Sequence, residues 1–229
     1  MFEEEVDMMG RGLTDLSALH LLTLSQSQVG QGQGQGQGQG MGQGQGQTQG
    51  QRRALDRVHS LNLHFNQLTS LHGLPRYTFL SSLNLSSNHL VSCDLPELAL
   101  LPALSTLDLS GNKISSLRLL PFLPSLTTLA AAFNFITSCA GLADATPALE
   151  SLDLRGNLIS HMPGNDMRND MRGNGGGNGG LSCGLKDLSS LQALANLRLG
   201  GSKPNPVMGV AGAVEGLFHV CLSLQSVDG

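Results

Sequence analysis

The chain has 229 residues, 13 basic against 17 acidic side chains for a net charge of −4, and leucine at 44 positions beside no tryptophan and one tyrosine. That length allows one domain or two and a sizeable core. The acidic balance argues against the broad basic surface that nucleic-acid recognition needs.

In chain order, the opening MFEEEVDMMG puts Glu3, Glu4, Glu5 and Asp7 where a secretory signal needs a basic region followed by an apolar run. No stretch approaches eighteen uninterrupted apolar residues, so no membrane-crossing helix is expected. The cysteines Cys93, Cys139, Cys183 and Cys221 lie too far apart for a CxxC pair or a local metal cluster. An intracellular, reducing setting is the expectation.

Five segments then share one template: VHSLNLHFNQL (58–68), LSSLNLSSNHL (80–90), LSTLDLSGNKI (104–114), LTTLAAAFNFI (126–136) and LESLDLRGNLI (149–159). Their anchors Leu61, Leu83, Leu107, Leu129 and Leu152 are spaced by 22, 24, 22 and 23 residues. Such a period marks a stack of units, none of which can bury its apolar face alone. Weaker copies extend the array at LHLLTLSQSQV (19–29), LANLRLGGSKP (194–204) and LFHVCLSLQSV (217–227), with Ser27, Ser202 and Gln225 at the asparagine position. The anchor intervals Leu22–Leu61 and Leu152–Leu197 exceed one repeat by 17 and 23 residues. Those excesses fall on a glycine–glutamine tract at 30–51 and on 161–180, both expected to be flexible inserts.

Each L-x-L pair has period two and predicts a short strand, near 61–63, 83–85, 107–109, 129–131 and 152–154. Apolar residues at three-residue steps follow, as in Leu68, Leu71, Leu74 and Tyr77, and suit a return through 3₁₀ or short helical turns. Cys93 and Cys139 fall on this spacing and are expected in the core. The pattern resembles the leucine-rich repeat family, in its short 22-residue intracellular subclass typified by the leucine-rich regulatory subunit of protein phosphatase 1. The resemblance implies an α/β solenoid, a right-handed, curved parallel-strand array of about eight repeats, filling residues 1–229 as a single domain outside the two inserts. It also implies a structural role for the ladder Asn66, Asn88, Asn112, Asn134 and Asn157.

No HExxH helix, GxSxG elbow or phosphate loop ending in GK[ST] occurs. Asp108 and Asp153 share a strand position, but the Ala130 strand between them sets the carboxylates roughly 10 Å apart, beyond the range of a glycosidase pair. No catalytic, cofactor or metal residue is expected. The outward strand positions are the better candidates: Asn62, His64, Asn84, Asp108, Asp153, Arg155 and Arg198. Asp153 and Arg198 become cross-strand neighbours if 161–180 loops out. Phe65 and Phe133, each just before a ladder asparagine, are candidate aromatic anchors, although three repeats apart. The expected function is a non-enzymatic protein-interaction module or scaffold, monomeric without its partner and without direct nucleic-acid contact. The resemblance adds phosphatase regulation and, through the leucine-rich spliceosomal A-prime protein, ribonucleoprotein assembly as alternatives. It also adds a cytoplasmic setting, cytoskeletal or ciliary, with the nucleus left open.

Overall fold

Alternation of leucine with small polar residues makes each L-x-L segment a strand with one apolar face, and burying that face requires a neighbouring strand. The computed structural model describes residues 4–16, 58–74, 77–160, 186–201, 204–209 and 224–228. Its strands are β1 (Glu4–Asp7), β2 (Val58–Asn62), β3 (Ser82–Asn84), β4 (Thr106–Asp108), β5 (Thr128–Ala130), β6 (Ser151–Asp153), β7 (Asn196–Arg198) and β8 (Ser226–Asp228). They form one eight-stranded sheet in sequential order, and every neighbouring pair is parallel. The anchors pair in one row: Val6, Leu61, Leu83, Leu107, Leu129, Leu152, Leu197 and Val227.

The middle strands open and close one residue earlier than the leucine pairs indicate. The second leucine of each pair continues the ladder by a single bond; the Leu85 N–H, for example, donates to the Asp108 carbonyl at 2.8 Å. Inside the arch, Leu61, Leu63, Leu68, Leu71, Leu74, Tyr77 and their equivalents in later rungs form one continuous apolar core. Among the described residues the return segments carry 3₁₀ turns at Ser92–Leu100, Lys186–Ser190 and Pro206–Gly209, and one α-helical turn, α1, at Leu142–Ala145.

The two ends of the array differ from the sequence reading. The rung beside β2 is β1, with Val6 and Met8 as its inward residues; the copy expected at 19–29 lies outside the described residues. Val-Asp-Met keeps the alternation without leucine, and its acidic surroundings hide it. At the other end Val227 takes the anchor position, seven residues beyond the one assigned within 217–227. Cys139 is buried, but Cys93 is exposed. The repeat holding Cys93 is 24 residues long, and its 3₁₀ segment turns Asp94, Leu95 and Leu98 inward instead. Residues 17–57 and 161–185, which contain both expected inserts, lie outside the described residues, as do Cys183 and Cys221.

Candidate interaction surface

Two ladders of side-chain bonds organise the face and the exit edge of the sheet. The first is internal. Each of Asn66, Asn88, Asn112, Asn134 and Asn157 is buried where the chain leaves its strand. The Asn112 Oδ1 accepts from the Leu90 N–H at 3.0 Å, and its Nδ2 donates to the carbonyls of Leu85 (3.0 Å) and Leu109 (2.9 Å). The other four repeat that pattern, each serving groups of the rung before it. Backbone groups that have left the sheet must find such partners when buried. Asn205 makes the same bonds for β7: its Oδ1 accepts from the Ile159 N–H at 3.2 Å and its Nδ2 donates to the carbonyls of Leu154 and Leu199. The sequence reading put Ser202 there. Asn205 is displaced by three residues, yet the Asn-x-apolar signature survives as Asn205-Pro206-Val207.

The second ladder lies on the outward face. Asp7, Asn62, Asn84, Asp108, Ala130, Asp153, Arg198 and Asp228 form one register row. The side-chain oxygens of Asp7, Asn62, Asn84, Asp108 and Asp153 each accept the backbone N–H two residues on, at 2.8–3.1 Å. These are Asx turns, which bend the chain out of the strand. Four candidate contact residues therefore also shape the exit from their strands. Ser86 Oγ donates to Asn84 Oδ1 at 2.6 Å, which makes it the acceptor for His64 Nδ1 at 2.7 Å and assigns that nitrogen the proton. Arg198 is the register neighbour of Asp153, and the carboxylate is gripped from within its own rung by Arg155, Nη2 to Oδ2 at 2.6 Å and Nε to Oδ1 at 3.0 Å. The pair is partly exposed, so its contribution is about 0–1 kcal/mol.

The residue before each ladder asparagine turns through positive φ. Gly111 and Gly156 do so at 68° and 67°, but Phe65, Ser87 and Phe133 stand there at 55°, 56° and 54°. A bulky side chain in that region is a genuine outlier. Both rings are largely in solvent, Phe65 67 % and Phe133 49 % exposed. Each meets a glycine of the neighbouring rung: a Cβ on Gly10 would lie 4.0 Å from the Phe65 ring, and one on Gly156 only 2.5 Å from that of Phe133.

Between the aromatics runs an open groove of about 570 Å³, lined by Phe65, Gln67, Ser87, His89, Gly111, Lys113 and Phe135 over the ladder asparagines. Phe135, 52 % exposed, follows Asn134, and Leu158 holds the equivalent position one rung on. Sequence reasoning named Phe65 and Phe133 but passed over Phe135, Leu158 and Met9. For Phe135 and Leu158 the signal is present in the template, because the position after each ladder asparagine points outward in every middle copy.

Among the described residues no three His, Cys, Asp or Glu side chains are grouped to hold a metal ion, and no helix is long and apolar enough to cross a membrane. The Leucine Rich Repeat family model matches residues 103–126. Leucine-rich repeat-containing protein 23 of Bos taurus is 39 % identical over 106 residues, which cover 46 % of this chain and 30 % of that protein. An internalin of Listeria monocytogenes superposes with a TM-score of 0.53 at 22 % identity, over 78 % of this chain and 43 % of its own. The Drosophila melanogaster SNF/U2A′ complex contains a chain matched at 27 % identity over 55 % of this one, with a TM-score of 0.42 that carries no argument. The chain thus spans less than half the length of the first two. Its fold is that of a leucine-rich-repeat domain.

Proposed function

We propose that this leucine-rich-repeat solenoid is a non-enzymatic protein-interaction module or scaffold that works in the cytoplasm, in a cytoskeletal or ciliary assembly. One observation supports this most. Of nine exposed large apolar side chains among the described residues, five (Met9, Phe65, Phe133, Phe135 and Leu158) crowd the edge where the chain leaves the sheet. Concentrated apolar exposure on a soluble fold marks an interaction site. The adjoining outward positions Asn62, His64, Asn84, Asp108, Asp153, Arg155 and Arg198 supply the polar surround that such an interface needs. Phosphatase regulation and ribonucleoprotein assembly are the narrower forms of this proposal, and the captured partner decides between them.

The test is quantitative affinity capture from native cells with the full chain as bait. A Phe133→Gly/Phe135→Ser variant is expected to lose the specific partner at least tenfold. An Asp108→Ala/Arg198→Ala variant is expected to lose it more modestly. Unchanged capture by both variants refutes the proposal.

A further inference from the structure

The apolar exit edge has a shape, a charge and a hydrogen-bonding state, and together they select its occupant. From Phe65 in the second rung to Leu158 in the sixth is four strand spacings, roughly 19 Å. Serine at 87 and glycine at 111 keep the floor between Phe65 and Phe135 low.

The buried backbone along this edge is already satisfied. The N–H groups of Leu68, Leu90, Ile114 and Ile136 and the carbonyls of Leu63, Leu85, Leu109 and Ala131 all bond to ladder amides. The N–H groups of the groove-lining Phe65, Gln67, Ser87, His89, Gly111 and Lys113 are likewise spent on neighbouring rungs, so an extended segment adding a strand, which needs main-chain donors as well as acceptors, finds no free donor in this row. An occupant must bring its own backbone closed and bind through side chains. That describes an α-helix, of which about 13 residues cover 19 Å.

Charge completes the description. The rows flanking the ladder asparagines carry Lys113 and no carboxylate, although the whole chain is net −4. Phenylalanine at the left-handed positions of rungs two and five adds a second line of argument. Glycine would relieve the backbone and remove the exposed ring together, and strain retained at an exposed site points to function.

From these observations we infer that the exit edge docks an amphipathic α-helix of a partner protein, about 13 residues long. Its apolar face sits across Phe65, Phe135 and Leu158, and an acidic side chain faces Lys113. This rests on the interaction-module reading and names the partner's chemistry at the same site.

The test pans the full-length chain against two displayed peptide libraries. One is randomised on the face of a stable helical scaffold; the other is linear and unstructured. The helical library is expected to yield binders with apolar residues at i, i+3, i+4 and i+7 and an enriched carboxylate. Their affinity should fall at least tenfold on Phe135→Ser and about threefold or more on Lys113→Glu. Phe65→Gly and Phe133→Gly, compatible with their backbone angles, provide folded controls that should also bind more weakly. The inference is overturned by linear peptides winning the same site, by helical binders unaffected at Phe135, or by no competing binder from either library. It is equally overturned if the edge drives self-association in sedimentation, or anionic-vesicle binding, that Phe135→Ser abolishes. Should the native partner of the capture experiment still depend on Phe133 and Phe135 while helices fail, only the helical occupant is wrong. Should capture ignore those residues, the reading beneath it fails as well.

Discussion

Replacing Phe65 by glycine is the substitution whose sign is least intuitive. Truncating an aromatic ring in a core costs about 3–5 kcal/mol, yet Phe65 is 67 % exposed and its φ is 55°. Losing the remaining third of its burial removes roughly 0.5–1 kcal/mol, from about 1.5–3 kcal/mol for a fully buried ring. Leaving the left-handed region to glycine returns roughly 1–2 kcal/mol, of which the freer unfolded chain takes back about 0.4–1 kcal/mol. Phe65→Gly should therefore lie within about 0.5 kcal/mol of wild type. Phe65→Ala keeps the backbone strain and loses the ring, so it should be less stable than the glycine variant by about 0.5–1 kcal/mol. Urea denaturation followed by far-ultraviolet dichroism resolves the difference as a shift in midpoint at constant slope. A glycine variant less stable than the alanine variant would refute the reasoning, because the ring or the turn would then be contributing more than exposure and φ allow.

Asn112→Ala should lose about 1–3 kcal/mol in the same assay, because it orphans the buried Leu90 N–H and leaves the Leu85 and Leu109 carbonyls with only the amides of Asn88 and Asn134. Leu107→Ala should cost about 2–5 kcal/mol by leaving a void in the core, while its exposed neighbour Thr106→Ala should stay within about 0.5 kcal/mol. Gly156→Ala should destabilise by more than about 1 kcal/mol, since a Cβ there meets both a positive φ and the Phe133 ring. Part of that loss, at least about 0.5 kcal/mol, should vanish in a Phe133→Gly background, measured as a double-mutant cycle.

The middle of the fold was legible because five copies state the same spacing, and burial then dictates which leucines face inward. Legibility fell off where chemistry replaced composition. Val6 and Met8 do the work of leucines in β1, and a search for leucine passes over them. Asn205 keeps its role despite three inserted residues, because the amide needs only to reach Ile159 and Leu154, by whatever loop delivers it. The candidate surface was read in part. Outward strand positions follow from period two, but the Asx turns at Asn62, Asn84, Asp108 and Asp153 depend on local side-chain-to-backbone geometry that spacing does not encode. Phe65 and Phe133 look isolated along the chain at three repeats apart. The groove that joins Phe65 to Phe135 exists only once the rungs are stacked.

The asparagine ladder gives the solenoid a direction of unravelling. Each amide closes one N–H and one carbonyl of the rung before it, so every rung depends on its successor and not on its predecessor for that closure. Peeling away Asn205 strips the Ile159 N–H of its amide partner and leaves the Leu154 carbonyl only the amide of Asn157, and the opening then passes inward one rung at a time. Peeling away β1 leaves Asn66 without the Met8 carbonyl and the Leu13 N–H, but its freed amide can turn to water, as can the Asn62 carbonyl and the Gln67 N–H left at the new edge, and no N–H of the second rung loses a side-chain amide. Amide exchange should accordingly spread from β7 toward β2 more readily than the reverse, like a zipper whose teeth are cut to open from one end.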